Sequence, residues 1–429
     1  MERVDAAVIG AGLAGLSCAY TLAKAGIDVL VVERGDYPGS KNVTGGRLYM
    51  NPVRQCLPDI WHEAPFERYV TRERLTMLSD ESALTFELRP DAYTKQPYHS
   101  HTLLRPVFDT WLAEKTAAEG ATIVPKYKVD GLLRENGKIS GIRAEGEDIA
   151  ANVVVAADGA LSFIAEQAGL RSKYEPGHFA VGVKETIELS RKVIEDRFNL
   201  HGDEGTAQLY FGSLTKGLTG GGFLYTNRES ISLGIVAGIG SLMASPQQTE
   251  TFQLMEEFKA RPEVSVLIEG GETVEYSAHV IPEGGIKSIP TLFTDGMLVV
   301  GDAAGFALNM GIIVRGMDLA IASGVMGAEA IKAAKKRSNY SAESLAAYKT
   351  MLDNSFVLKD LHTFRNVWKV LNNQRLFMKY PNLLSRLLMD LMSIGAEPKP
   401  KLSSTALKHF RKNFLNLSAL KDALNLLKI

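Results

Sequence analysis

Hydrophobic positions along this chain come in short runs, and the first, Val4 to Gly10, stops on a glycine. An apolar run of that length bounded by glycine predicts a strand. A helix from about Leu13 to Ala25, stopped by Gly26, and a strand from Asp28 to Glu33 complete a βαβ unit. A second helix, RPVFDTWLAEKTAAEG, carries Pro106 in its first turn and ends at Gly120, and TIV after it reads as a short strand. Between residues 130 and 159 the alternation and the Asn136-Gly137 pair predict a small meander. Its last strand, Val153 to Ala157, is apolar without interruption, as burial on both faces requires.

From about 176 to 285 the runs lengthen, as in FAVGVKETIEL, AQLYFGSL and SISLGIVAGI, and predict a mostly antiparallel sheet of its own. The glycine-ended strand then returns at GMLVVGDAAGF, so the first domain is discontinuous. The expected class is α/β with an α+β second domain. Its parts are 1–175 and 286–340 for the nucleotide domain, 176–285 for the sheet domain and 341–429 for a helical C-terminal region. Residues from about 50 to 100 are expected to contribute to the second domain.

A length of 429 residues suits two or three such domains. Formal net charge is -1, which supplies no global field toward nucleic acid, and no nucleic-acid partner is expected. The two cysteines, Cys18 and Cys56, are too few for a self-contained iron–sulfur cluster and fit a reducing compartment. The glycine turn follows the N-terminus so directly that no signal peptide fits, and no run of 18 apolar residues occurs. A cytoplasmic protein is expected.

Candidate chemistry begins at Val8 and runs through Gly10, Ala11, Gly12, Leu13, Ala14 and Gly15. The first glycine allows the tight turn, the second lets backbone approach a pyrophosphate, and the third permits close helix–strand packing. Glu33, followed by Arg34, ends the next strand, where a carboxylate accepts from ribose hydroxyls and repels a 2′-phosphate. Two further strands end in Asp158-Gly159 and Gly301-Asp302. An aspartate there can bond a polyol chain, and a helix start can face negative charge on a reduced ring; together the three motifs select FAD. Taken singly, either aspartate could equally be a helix cap.

These motifs, with Arg105 opening the second helix, resemble the glutathione-reductase-type flavoproteins of the aromatic-hydroxylase branch. Within it, KNVTGGRLY, VGVKETIEL, VEYSAHVIPEGG and GDAAGFALNMGIIVRGMDLAIASG are similar to the electron-transfer-flavoprotein:quinone oxidoreductases, and most of all to their shorter Fix C-type flavoprotein subunits. The resemblance implies Gly10, Gly12 and Gly15 at the pyrophosphate, Glu33 on the adenosine ribose and Arg105 near the phosphates. It puts the Val129 backbone by the adenine and Asp302 on the ribityl chain or pyrophosphate. Thr44, Gly45 and Gly46 would lie beside the isoalloxazine, with the N–H groups of Gly311, Ile312 and Ile313 at its N1 and O2. Lys41 and Arg47 flank that loop as stabilisers of anionic flavin or as solvated charges. The implied partners are a two-subunit electron-transfer flavoprotein, a quinone and, because the four cluster cysteines of the longer relatives are missing, a separate ferredoxin-like iron–sulfur protein. The rival is an FAD-dependent NAD(P)H-using reductase or hydroxylase of a small apolar substrate, like the geranylgeranyl reductases.

Electron transfer between carriers requires no protein acid or base, and no catalytic side chain or metal site is expected. Cys18 and Cys56 read as packing residues, and His99 and His101 as surface or hydrogen-bonded loop histidines. His279, with Tyr276, either bonds a quinone carbonyl or caps sheet hydrogen bonds. Leu383, Leu384, Leu387, Leu388, Leu391 and Met392 form one helical stripe, which reads as core. The alternative is an interfacial patch in which the basic tail, Lys399 to Lys421, meets the inner face of the cell membrane or an acidic ferredoxin.

Overall fold

In a computed structural model, which describes residues 3–42, 46–171, 174–246, 249–413 and 415–427, the glycine-ended first strand lies in the middle of a parallel sheet. Arg3–Ile9 (β1) pairs in parallel with Val29–Val32 (β2) on one side and Glu147–Ala156 (β10) on the other, with Ala6 opposite both Val29 and Val153. Flanked in this way, Ala6, Ala7, Val8 and the run Val153 to Ala156 lose all exposure. Thr122–Val124 (β7) extends the sheet beyond β2, and Met297–Val299 (β17), with the short antiparallel Phe293–Thr294 (β16), extends it beyond β10. Val129–Glu135 (β8) and Lys138–Ala144 (β9) form the meander with β10. Asn136 and Gly137 join β8 to β9 with φ of 50° and 82°, left-handed at both central positions as a type I′ turn needs.

The first helix, Leu13–Ala23 (α1), stops two residues short of the expected Ala25. Gly26 donates its N–H to Ala23 O at 2.8 Å and Ile27 donates to Leu22 O at 3.2 Å, so the reversal around the left-handed Gly26 uses up the last turn. Arg105–Ala118 (α2) packs on the same core, as does Met317–Lys336 (α4) after the return strand.

A second sheet runs Glu272–Pro282 (β15), Phe179–Glu188 (β11), Ser230–Gly238 (β14), Gly220–Thr226 (β13), Glu204–Gly212 (β12), Tyr69–Leu78 (β4), Ser100–Thr102 (β6) and Arg47–Tyr49 (β3). Ala83–Leu88 (β5) pairs with β4. All its pairs are antiparallel except β12 with β4. A guanidinium locks that exception: Arg68, 1% exposed, donates to the carbonyls of Asn227, Gly202, Glu204 and Arg228 at 2.6–3.1 Å.

The C-terminal helices Gln374–Met392 (α5), Leu402–Asn413 (α6) and Leu417–Leu426 (α7) carry the leucine stripe. It is not core. Its five leucines are half-buried and Met392 is 78% exposed, because α6 and α7 cover α5 only in part. Among the described residues no helix is long and apolar enough to cross a membrane. Arg375 on α5 holds Asp422 on α7 with two bonds of 2.7 and 2.6 Å, and the Tyr380 hydroxyl also donates to Asp422. The guanidinium lowers the Asp422 carboxyl to about 2. Because the folded value lies below that of the free carboxylate, the latch contributes fully above pH ~4 and is lost as pH falls toward 2. Asp422→Asn should loosen α7 by about 1 kcal/mol at pH 7. Faster amide exchange confined to residues 417–426 is the expected reading, and the difference from wild type should vanish near pH 2.

Candidate functional site

Between the two sheets lies one cavity of about 1300 Å³. Its wall takes Gly10, Gly12, Leu13 and Ala14 from the first turn, Glu33 and Arg34 from the end of β2, and Val129 from β8. Arg105, Asp158, Gly159, Asp302, Gly311 and Ile312 complete the expected residues that it brings together. Val8, Ala11, Gly15 and Gly301 lie behind this wall as packing and hydrogen-bonding support, and Gly46 and Ile313 do not line it. Thr44 and Gly45 lie outside the described residues.

Glu33 is fixed by the turn it faces: Oε2 accepts the Ala11 N–H at 2.8 Å and Oε1 the Gly35 N–H at 2.5 Å. At Gly12 a Cβ would meet nothing nearer than Asn42 Nδ2 at 3.8 Å, so packing does not demand a glycine there; the space in front of it belongs to the cavity. Farther along, Arg105 donates to both oxygens of the fully buried Asp109, at 2.8 Å each, and Asn42 donates to the same carboxylate at 2.6 Å. Across from Arg105 the Asp302 carboxyl is raised by burial against the pull of His279 and Arg105, and no side-chain hydrogen bond reaches it among the described residues. An open backbone cradle, a carboxylate fixed at the end of β2 and an acceptor that no side-chain bond reaches among the described residues together fit the diphosphate and polyol of FAD.

Asp158 behaves differently. Its oxygens accept the Ser162 hydroxyl at 2.6 Å and the Ile164 N–H at 3.2 Å, so it caps the short helix Phe163–Gln167 (α3) and reaches the cavity only as wall. Arg47 also lines the cavity, but Glu73 and Ser100 hold it, and it is neither a free flavin partner nor a solvated charge. His99 and His101 correct the expectation of surface loops. They stack on Tyr93 at 4.6 Å and Phe66 at 4.1 Å, and burial lowers the His101 imidazole to about 4. Burial likewise pushes the Cys18 thiol up to about 12, as suits a packing residue.

At the other end the cavity floor is the face of the second sheet. Val236 pairs with Gly182 on one side and Gly221 on the other, and Gly182 pairs with His279, so glycines alternate with side chains along this row. Lys184, two residues on and so on the same face, is buried and bonds Glu275 at 3.4 Å; burial lowers its ammonium. Sequence reasoning missed this floor, together with Tyr225, Glu283 and Asn309 on the wall. The GGG run at 220–222 and the period of two in VGVK were the available signals.

Known proteins match this arrangement. Residues 5–93 match the family model described as FAD dependent oxidoreductase, and residues 179–281 match one described as ETF-QO, ubiquinone-binding. A geranylgeranyl bacteriochlorophyll reductase-like protein from Thermoplasma acidophilum shares the fold with a TM-score of 0.73 at 22% identity, over 98% of this chain and 99% of that one. The myxobacterial chondrochloren halogenase CndH does so at 0.59 and 18%, over 96% and 90%. The class is therefore that of FAD-dependent oxidoreductases with a Rossmann-type domain.

Within it, the chain is 44% identical over 423 residues to "Probable electron transfer flavoprotein-quinone oxidoreductase YdiS" of Escherichia coli (strain K12), covering 99% of this chain and 98% of that protein. It is 42% identical over 417 residues to "Protein FixC" of Azorhizobium caulinodans, covering 95% and 94%. The protein belongs to the FixC and electron-transfer-flavoprotein–quinone oxidoreductase family.

Proposed function

We propose that the protein passes electrons from a two-subunit electron-transfer flavoprotein, by way of FAD, to a quinone, to a separate ferredoxin-like iron–sulfur protein, or to both. The observation that carries this reading is the shared cavity, where the dinucleotide turn and the face of the second sheet line one space. The sheet face coincides with the ubiquinone-binding match, and the likeness to relatives named for both partners runs the length of the chain. FAD supplies a ring that takes up and releases two electrons. The chain's part is placement. Gly10, Gly12 and Arg105 receive the diphosphate, Glu33 the ribose, the Val129 backbone the adenine and Asp302 the polyol, while the backbone around Gly311 and Ile312 meets the ring. We read the chain as a glutathione-reductase-type FAD domain, 1–175 and 286–340, into which the quinone-facing sheet, 176–285 with strands from 50–100, is inserted before a helical end. The exposed Met392, Ile394, Leu402 and Leu417 beside Lys399, Lys401 and Lys408 favour peripheral contact with anionic lipid on the cytoplasmic side.

Anaerobic mixing tests the reading. Reduced electron-transfer flavoprotein should bleach the bound flavin, and added quinone should restore its colour. Bleaching by NADPH alone, with no response to electron-transfer flavoprotein, would overturn it.

A further inference from the structure

We infer that the carboxyl of Glu283 is the acid that hands a proton to the quinone oxygen at the loop end of the cavity, an inference that rests on the quinone reading above. Glu283 follows β15 directly and lines the cavity. Its Oε1 accepts from Asn309 Nδ2 at 3.2 Å, and Asn309 Oδ1 in turn accepts the Gly311 N–H at 2.9 Å. One side chain therefore separates the carboxyl from the backbone assigned to the flavin ring.

Among the described residues no ion pair reaches it. Lys287 lies over the Trp368 ring at 4.9 Å, Arg315 is held by Asp318 and Asp360, and His178 faces Glu175 at 3.5 Å. Glu283 is only partly exposed, and burial raises its carboxyl against the single opposing bond from Asn309, which favours the protonated form. Of the other charged groups on the wall, Arg47 is held by Glu73, Lys184 by Glu275 and Arg315 by Asp318, while the His279 ring on the sheet floor faces Asp302, Arg105 and Arg34, and burial lowers it toward the neutral form. The Tyr225 hydroxyl, raised far by burial, releases its proton less readily still.

Converting a quinone to a quinol takes two electrons and two protons, and the electrons originate on reduced electron-transfer flavoprotein. At one carbonyl oxygen an O–H bond forms as the O–H of Glu283 breaks. The carboxylate left behind takes a proton from water, and the second quinol proton follows after that reprotonation. Refilling comes from the water of the cavity, which the partly exposed Glu283 lines.

Glu283→Gln keeps the shape and the bond from Asn309 while removing the acid. With flavin reduced beforehand, this variant should transfer electrons to quinone ~10²-fold more slowly than wild type, the usual contribution of a positioned acid. Oxidation by ferricenium, which needs no proton, should be unchanged. In wild type the quinone rate should fall as pH rises through the Glu283 pKa, and Glu283→Asp should restore part of it. Independently of turnover, the infrared band of a protonated carboxyl should be present in wild type at pH 7 and absent in Glu283→Gln. Equal losses with both oxidants, an unchanged quinone rate, or a missing infrared band would each overturn the inference and leave the quinone reading standing. Wild type that reduces ferricenium but no quinone would overturn that reading and the inference with it.

Discussion

Replacing Gly15 with alanine should cost the apoprotein about 3 kcal/mol or more, whereas the same change at Gly12 should leave its stability nearly untouched and weaken FAD binding by ~10- to 100-fold. The two glycines share one turn and serve different neighbours. A Cβ at Gly15 would sit 2.0 Å from the Gly10 carbonyl oxygen and 3.2 Å from both Val8 and Ala157, where β1, β10 and α1 meet. Backbone is what it strikes, and backbone cannot swing aside. At Gly12 the neighbouring space is open, and an added methyl would stand where the diphosphate has to come within hydrogen-bond distance of the main chain. Thermal melts of the apoproteins and titration with FAD separate the effects. A Gly12→Ala variant that melted early, or bound FAD like wild type, would remove the basis for treating that opening as the diphosphate cradle.

That turn was legible because every signal in it is local. A glycine-ended strand and a helix start adjoin in sequence, the carboxylate at the end of β2 closes the same βαβ unit, and the Asn136-Gly137 turn is equally self-contained. What escaped was set by distant partners. Arg68 reads as a surface charge until β12 and the loop after β13 come to lie around it, bringing four carbonyls to one guanidinium. His99 and His101 read as loop histidines until Tyr93 and Phe66 supply rings to stack on. Glu283 reads as an ordinary acidic residue in a turn, and only the return of Asn309 from the far side of the chain makes it part of a cavity. Asp158 shows the converse. Its own downstream residues, Ser162 and Ile164, each bond one oxygen, so the local capping motif is what the structure shows at this strand end.

Arg105→Ala should be the most damaging single change to the site, with a loss of about 3–5 kcal/mol, because it strands the Asp109 carboxylate. Asp109 has no exposure and would keep only the Asn42 bond. Stability and cofactor binding are entangled in that variant, and the double variant Arg105→Met with Asp109→Leu separates them. Removing both charges together takes away the uncompensated carboxylate, and apolar replacements of similar volume should recover most of the lost stability. FAD affinity should not recover if, as proposed, the guanidinium that faces Asp302 across the cavity also receives the diphosphate. Recovered melting with persistent loss of FAD would locate a binding role in the guanidinium beyond its pairing with Asp109. Full recovery of both would reduce Arg105 to a structural counter-ion and shift the anchoring of the phosphates to the glycine turn alone.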